Sequence, residues 1–176
     1  MPVTGRKVRR LVAGVAALAL ASAVALSSSV PASADPATHG RGDLGPIDLS
    51  AGQACADFDL RLAGTGDKRA IKELENGVLI EAGNGWDLTF TNLDNGNSIT
   101  LLSNGSVNKS TIDAEGIQTF QSTGKNVLIL FPTDVPAGPS TTLYTGRLVY
   151  TVDTNTGVFT VVSSSGTTTD ICALLV

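Results

Sequence analysis

The sequence is poor in the residues that most often carry catalysis. Its 176 residues include one histidine, His39, and two cysteines, Cys55 and Cys172. A serine hydrolase needs an imidazole beside its nucleophile, and a structural zinc site needs four nitrogen or sulfur ligands. A single histidine in a Gly- and Pro-rich stretch and two distant cysteines provide neither. Because no G-x-S-x-G motif or phosphate-binding loop is present either, we expect no catalytic residue, no metal and no cofactor.

Positive charge is scarce beyond the first 34 residues. Of the 12 Lys and Arg residues, four lie in residues 1–34, so the remaining 142 residues carry eight cations against 16 acids, a formal net charge of −8. Nucleic acids and anionic membranes are bound by clustered Lys and Arg. The composition therefore excludes a nucleic-acid partner and is typical of a soluble acidic domain.

The N-terminus has the three parts of a cleavable signal peptide. Four cations within residues 6–10 precede an apolar run over 11–26, which is shorter than the roughly 20 residues of a membrane-spanning helix. The small residues Ala32-Ser33-Ala34 follow. We predict cleavage between Ala34 and Asp35, which would make the mature chain a secreted, extracellular bacterial protein without a membrane anchor. The pattern is compatible with two export routes, one that takes the unfolded chain and the twin-arginine route, which takes a folded protein.

The chain after the cleavage site divides into a leader and a β-domain. Residues 35–54 are rich in Gly, Pro, Ala and Asp, and we interpret them as a flexible leader without strands. From Cys55 onward apolar and polar residues alternate, as in Phe58, Leu60 and Leu62. This period of two predicts a single all-β domain over 55–176 with about nine or ten short strands.

Asn-Gly pairs give the clearest turn signal. They occur at 76–77, 84–85, 95–96 and 104–105, and Asn-Gly favours the type I′ turn of tight β-hairpins. Successive hairpins predict an antiparallel meander, interrupted by a longer loop at Pro132–Pro139. Such a meander can form either a sandwich or a closed barrel, and the pattern does not choose between them.

Three segments in the second half carry a resemblance. These are Thr91-Asn92-Leu93-Asp94-Asn95-Gly96, Tyr144-Thr145-Gly146-Arg147 and Asp170-Ile171-Cys172-Ala173-Leu174-Leu175. The span from Trp86 to Val176 resembles small exported proteins of unassigned function from high-GC Gram-positive bacteria. The resemblance implies export and a β fold, and it implies no activity.

The two cysteines are expected to form a disulfide. Thiols oxidise readily outside the cell, and Cys55 and Cys172 lie at opposite ends of the β-patterned region. We expect the apolar C-terminal segment to pair beside the first strand, which would bring the two cysteines together. The bond would then join the domain termini.

Three functional hypotheses remain open from the sequence. The leading one is a non-enzymatic extracellular module that binds a partner of unknown identity. The alternatives are a carrier with an apolar barrel cavity for a small ligand, and a glycoside hydrolase that uses Asp57 and Asp59 as its carboxylate pair. Among the aromatic residues, Trp86 and Tyr150 are in phase with apolar neighbours and are assigned to the core, whereas Tyr144 is the candidate for an exposed aromatic.

Overall fold

The computed structural model describes residues 38–39, 42–102 and 105–176. These residues form ten strands of five or more residues, a two-residue strand and a single 3₁₀ turn, Cys172–Leu174. The all-β prediction is confirmed. The strands are β1 (Thr38–His39), β2 (Leu44–Leu49), β3 (Leu60–Thr65), β4 (Lys68–Glu73), β5 (Leu79–Asn84), β6 (Asp87–Asn92), β7 (Ser98–Leu102), β8 (Ser106–Ile112), β9 (Ile117–Leu130), β10 (Ser140–Asp153) and β11 (Phe159–Asp170).

The strands form two antiparallel sheets. The first has seven strands in the order β1-β4-β5-β8-β9-β10-β11, and the second has four in the order β2-β3-β6-β7. Residues of both sheets share one apolar cluster, so the sheets pack face to face as a sandwich. Over the described residues, β1 does not pair with β11 and β2 does not pair with β7. The closed barrel is therefore wrong.

The predicted meander holds for only part of the chain. Strands β8 to β11 are consecutive neighbours, but β3 pairs with β6 and β5 pairs with β8. The chain changes sheets between β1 and β2, between β3 and β4, between β5 and β6, and between β7 and β8. Asn84-Gly85 and Gly105 lie at the last two of these changes and not in hairpins. Glycine permits a sharp reversal of either kind, so an Asn-Gly pair does not say which sheet the next strand joins.

The other two Asn-Gly pairs do close hairpins, with longer loops than predicted. In the β4–β5 hairpin the Leu74 N–H donates to Val78 O at 2.8 Å and closes a three-residue loop. In the β6–β7 hairpin the Asn92 N–H donates to Asn97 O at 2.9 Å and closes a four-residue loop. A type I′ turn has only two loop residues. The hairpins are confirmed, and their type I′ geometry is wrong.

The described part of residues 35–54 contains a strand. Leu44–Leu49 pairs with β3, and Asp48 Oδ1 accepts a 2.6 Å hydrogen bond from Arg61 Nε. Farther on, Ala54 is fully buried in the core. The prediction that this segment forms no strand is therefore wrong, because an edge strand can be held by hydrogen bonds to one neighbour without a regular apolar face. Residues 1–37, with the predicted cleavage site at Ala34–Asp35, lie outside the described residues.

Strands β9, β10 and β11 are much longer than predicted, with 14, 14 and 12 residues. Gly146 of β10 lies directly opposite Gly166 of β11, and their φ angles are +132° and +109°. A Cβ on either residue would clash with a carbonyl of the opposite strand, Ser165 O or Thr145 O. Only glycine fits at these two paired positions. The glycine pair lies near the middle of the long strands and separates their two ends.

The main core lies at one end of the sandwich, which we call the disulfide end. Its buried members come from the two ends of the domain sequence and from strand β6: Ala54, Cys55, Phe58, Leu60, Phe90, Ile171 and Leu175. Val127, Ile129 and Leu143 of the seven-stranded sheet pack against it. The alternation of Phe58, Leu60 and Leu62 on one face is thus confirmed, since the first two are buried and Leu62 packs on the same cluster.

The Cys55–Cys172 disulfide is present, with 5.7 Å between the Cα atoms. This separation lies within the range of about 4.4 to 6.8 Å that a disulfide spans. The local structure around it differs from the prediction. Cys55 precedes β3, which begins at Leu60, and Cys172 lies in the 3₁₀ turn after β11. The C-terminal segment caps the end of the sandwich and is not a strand.

Candidate functional site

The space between the sheets is not filled at the end away from the disulfide. A cavity of about 280 Å³ lies there, and we call it the inter-sheet cavity. The strand register places the cavity farther along the same strands than the core. In β6, the core residue Phe90 pairs with Leu62, whereas the cavity residue Leu88, two positions earlier, pairs with Gly64. Its lining residues are Leu44, Leu62, Arg69, Glu81, Gly85, Trp86, Leu88, Ser106, Asn108, Phe120, Lys125, Asn126, Val127, Leu148 and Tyr150.

Strand β8 contributes the polar residues Ser106 and Asn108 to a cavity wall that also holds Phe120 and Tyr150. Alternate residues of β8 face the same side, and in this strand they are Ser106, Asn108 and Ser110. Ser106 and Ser110 are buried, at 6% and 4% exposure. The Ser106 hydroxyl donates to Lys125 O at 2.6 Å, and Ser110 Oγ accepts from Gln118 Nε2 at 3.2 Å. Both serines are therefore satisfied within the protein.

Asn108, between these two serines, is not satisfied. Its Oδ1 is buried and is the one side-chain nitrogen or oxygen of this kind without a hydrogen-bond partner over the residues that the structure describes. An unpaired buried polar atom costs about 1 to 3 kcal/mol. Native proteins keep few such atoms. Because Oδ1 itself has almost no accessible surface, a molecule in the cavity does not contact it in this conformation.

Arg69 of β4 is held rigidly at the cavity. Its Nε and Nη2 donate to the two carboxylate oxygens of Asp67 at 3.0 and 2.8 Å, and its Nη1 lies 3.8 Å from Glu81 Oε2. The hydrogen bond with Asp67 raises the pKa of Arg69 further above its usual value, with smaller contributions from the charges of Asp67 and Glu81. The paired forks of guanidinium and carboxylate fix the plane of the arginine.

Trp86 lies under this arginine. The guanidinium carbon of Arg69 is 4.8 Å from the centre of the Trp86 rings, a cation–π contact. The indole Nε1–H donates to Gly42 O at 2.6 Å, and the side chain packs beside Gly64. The sequence assigned Trp86 to the core, but its side chain is half-buried and lines the cavity. It is the only tryptophan in the sequence.

Three aromatic rings cross the neighbouring strands next to the cavity. Phe120 and Tyr150 stack at 4.8 Å between ring centres, and Tyr150 and Phe159 stack at 6.0 Å. Burial raises the pKa of Tyr150 to about 12, and the negative charge of Glu81 adds to the shift. The assignment of Tyr150 to the apolar interior is consistent with this burial. Tyr144, the predicted exposed aromatic, is half-buried, and burial raises its pKa as well.

The predicted carboxylate pair does not lie on one strand face. Asp57 and Asp59 precede β3, and Asp59 Oδ1 accepts a hydrogen bond from the Ala51 N–H at 2.8 Å. Asp57 lines a separate surface depression of about 360 Å³ beside the disulfide, where Asp170 is the second carboxylate. Asp170 Oδ1 accepts from the Ala173 N–H at 3.2 Å. Asp59 is not among the residues of this depression.

The Asn-rich β6–β7 turn fixes the C-terminal segment. The side-chain amides of Asn92, Asn95 and Asn97 all donate to Leu175 O, at 3.1, 3.0 and 3.3 Å. This arrangement gives the asparagines a structural role. Across the described ranges, no group of three or more His, Cys, Asp or Glu residues is placed to hold a metal ion.

Two further findings concern membrane-spanning helices and known proteins. None of the helical structure in the described segments has the length and apolar character needed to span a bilayer. No protein-family model, no curated protein and no solved structure matches this chain.

The sequence pattern did not identify Glu81, Arg69 or Asn108 as site residues. The one available signal was strand β8, in which neither alternating face is apolar.

Proposed function

We propose that this protein is an exported, non-enzymatic binding module that holds one small ligand in the inter-sheet cavity. The inter-sheet cavity carries the proposal. A sandwich that needed only stability would fill the space between its sheets with side chains at the density of other protein interiors. A small ligand would occupy the space that the side chains leave open.

The construction of the cavity supports the same function. Arg69 and Trp86 hold each other in place, and the arginine is held further by Asp67. Rigid walls favour binding, because less conformational entropy is lost when the ligand is captured. The cavity also has the composition of a binding site, with mainly apolar and aromatic walls and a few polar groups at fixed positions.

Export is part of the proposal and rests on two observations. The disulfide is consistent with an oxidising compartment outside the cell, and residues 1–34 have the pattern of a signal peptide. The resemblance to exported proteins of high-GC Gram-positive bacteria stays a prediction that points the same way. N-terminal sequencing of the protein recovered from the culture medium should begin at Asp35. A product that keeps residues 1–34 would contradict the export proposal.

Native mass spectrometry tests the binding function. The protein is expressed from its full sequence and purified in the form that the host delivers. We expect a population with one added small-molecule mass per chain, which denaturation releases. Asn108→Leu should abolish this population, whereas Asn155→Leu, the same substitution in an exposed turn, should retain it.

Proteins also lose ligands during purification, so a second measurement accompanies the first. The ligand-free protein is screened for thermal stabilisation against extracts of small molecules from cells and medium. Stabilisation that disappears in Asn108→Leu supports the proposal. A ligand-free native spectrum together with an unchanged melting temperature in every fraction would show that the cavity binds no small molecule.

A further inference from the structure

An asparagine followed by glycine is a chemically reactive pair as well as a turn signal. The glycine nitrogen can attack Cγ of the asparagine, because glycine has no side chain to hinder the approach. The new N–Cγ bond closes a succinimide ring, and the Cγ–Nδ2 bond breaks with release of ammonia, which carries away the proton of the attacking amide. Water then opens the ring at either carbonyl and leaves aspartate or isoaspartate.

Three Asn-Gly pairs lie entirely within the described residues, at 76–77, 84–85 and 95–96, and all three asparagines are exposed. Ring closure requires that the glycine N–H is free and that the asparagine side chain turns toward it. Each hydrogen bond that must break first therefore slows the reaction by about fivefold. The three pairs differ in how many such bonds they make.

The pair at the β6–β7 turn is held most firmly. The Gly96 N–H donates to Asn92 O at 2.9 Å. The Asn95 side chain donates to Leu175 O at 3.0 Å and accepts from the Asn97 N–H at 2.8 Å. Three hydrogen bonds must break before the glycine nitrogen can reach Cγ of this asparagine.

The pair at the β4–β5 turn is also held. The Gly77 N–H donates to Leu74 O at 2.9 Å, and Asn76 Oδ1 accepts from the Val78 N–H at 3.4 Å. Two hydrogen bonds, the second of them long, oppose ring closure here.

The Asn84-Gly85 pair lacks these hydrogen bonds. Over the residues that the structure describes, neither the Asn84 side chain nor the Gly85 N–H has a hydrogen-bond partner. The pair joins β5 to β6, where the chain crosses from one sheet to the other, and so it closes no hairpin. We infer that Asn84 is a site of spontaneous modification, which Gly85 converts to aspartate and isoaspartate faster than the asparagines of the other two pairs are converted.

Lys68 is placed to assist this reaction. It pairs directly with Asn84 at the end of the β4–β5 ladder, and it makes no ion pair within the described part of the chain. Directly paired residues have Cβ atoms about 5 Å apart, so the ammonium stabilises the negative charge that develops during ring closure. Asp87, which lines the same surface depression as these two residues, has the opposite effect. The carboxylate that forms then has Lys68 as its cross-strand neighbour.

The modification changes the border of the inter-sheet cavity. Gly85 and Trp86 both line the cavity, and isoaspartate adds one carbon atom to the backbone immediately before them. Trp86 is the only tryptophan in the sequence, so its emission should change as isoaspartate accumulates.

Peptide mapping tests the inference. The purified protein is kept in warm, mildly alkaline buffer and then digested with chymotrypsin, which places the three asparagines on separate peptides. Mass spectrometry measures the conversion of each amide to an acid. In the folded protein we expect Asn84 to convert at least about fivefold faster than Asn76 or Asn95. In reduced protein held in denaturant the three rates should converge, because the hydrogen bonds that separate them are lost.

Three variants test the local cause. Asn84→Gln should abolish the change in Trp86 emission during incubation, because glutamine closes its ring far more slowly than asparagine. Lys68→Gln should slow the conversion of Asn84 by about threefold at low salt. Lys72→Gln removes another exposed lysine of the same strand, which lies opposite Ile80, and should leave the rate unchanged.

Two results would count against the inference. Conversion of Asn76 or Asn95 in the folded protein at the same rate as Asn84, or faster, would overturn it. An equal rate in the wild type and in Lys68→Gln would remove the role assigned to the lysine. Neither result depends on whether the cavity binds a ligand.

Discussion

The disulfide end and the cavity end of the sandwich are formed by the same strands and are packed in opposite ways. In strand β6, Phe90 is completely buried at the disulfide end, whereas Leu88, two residues earlier on the same face, is half-buried beside the cavity. In strand β10, Thr141 at the disulfide end satisfies its hydroxyl with Ala54 O at 3.0 Å. At the cavity end, the Oδ1 of Asn108 has no hydrogen-bond partner.

This difference separates a closely packed end from an open end within one domain. Close packing and hydrogen-bonded polar groups stabilise the disulfide end. The cavity end gives up packing and keeps an unpaired carbonyl, a loss of stability of the kind that the proposed binding function would explain. We therefore expect truncation of Phe90 at the first end to destabilise the fold more than truncation of Leu88 at the second.

The largest expected effect is loss of the disulfide. Replacing both Cys55 and Cys172 with serine opens a loop with a sequence separation of 117 residues, which should cost about 4 to 5 kcal/mol in the chain-entropy treatment. Denaturant unfolding, with and without reductant, measures this cost. Below the transition the Trp86 emission should match that of the wild type, because the cavity end is not cross-linked. An unchanged midpoint would show that the bond does not support the disulfide end.

The next effect compares two truncations in strand β6. Phe90→Ala should destabilise the fold by about 3 to 4 kcal/mol, since it leaves a large cavity in close-packed surroundings. Leu88→Ala should cost only about 1 to 2 kcal/mol, because Leu88 is half-buried and already borders open space. The two free energies of unfolding are measured under identical conditions. Equal losses would mean that the two ends are packed alike.

The third effect depends on pH and lies at the cavity end. The pKa of Tyr150 is raised to about 12 by burial and by Glu81, against about 10 in an unfolded chain. The folded state thus favours the neutral phenol, so this stabilisation is complete below about pH 10 and is lost as the pH rises toward about 12. The loss amounts to about 2 kcal/mol. It should appear as the difference in stability between the wild type and Tyr150→Phe.

Tyrosinate absorbance checks the same prediction directly. The protein has two tyrosines, so Tyr150→Phe leaves only the titration of Tyr144. The wild type should show an additional ionisation near pH 12 that the variant lacks. Ionisation of Tyr150 near pH 10 in the folded protein would contradict its burial next to the cavity.

The smallest expected change in the free energy of unfolding has opposite signs at the cavity end and at the disulfide end. Asn108→Leu should raise the free energy of unfolding of the ligand-free protein by about 1 kcal/mol, because it removes an unpaired buried carbonyl. Asn92→Leu should lower it, because the Asn92 amide donates to Leu175 O and its Oδ1 accepts from the Asp94 N–H. Chemical denaturation of both variants gives the comparison. A loss of stability in Asn108→Leu would mean that Oδ1 is paired in solution.

Part of the candidate site could be predicted and part could not. The alternation around Leu88 and Tyr150 correctly indicated inward-facing side chains. Strand β8 gave no such indication, because Ser106, Asn108 and Ser110 alternate with Val107, Lys109 and Thr111 and neither set is apolar. Periodicity identifies the buried face of a strand only when one face is apolar. The buried polar wall could therefore not be recognised before the neighbouring strands were known.

The turns show the same limit. In the β6–β7 turn, Asn92 Oδ1 accepts from the Asp94 N–H at 2.9 Å, and in the β10–β11 turn, Asp153 Oδ1 accepts from the Asn155 N–H at 2.8 Å. These contacts are local, so the residue types alone predict a turn. What each turn contacts is not local. The first turn binds Leu175 O, and the second binds the loop between β8 and β9 through Thr154 Oγ1 and Gly116 O.

The sequence by itself determined the β class, the alternation of several strands and the pairing of its only two cysteines. Those features follow from alternation, turn residues and the small number of thiols, which are properties of short segments or of counts. Only the tertiary structure decided that the chain changes sheets at Asn84-Gly85, that Leu44–Leu49 is a strand, and that Asn108 and Arg69 meet at one cavity. Each of these depends on contacts between residues far apart in the chain, and a local pattern does not contain the free energy of such contacts.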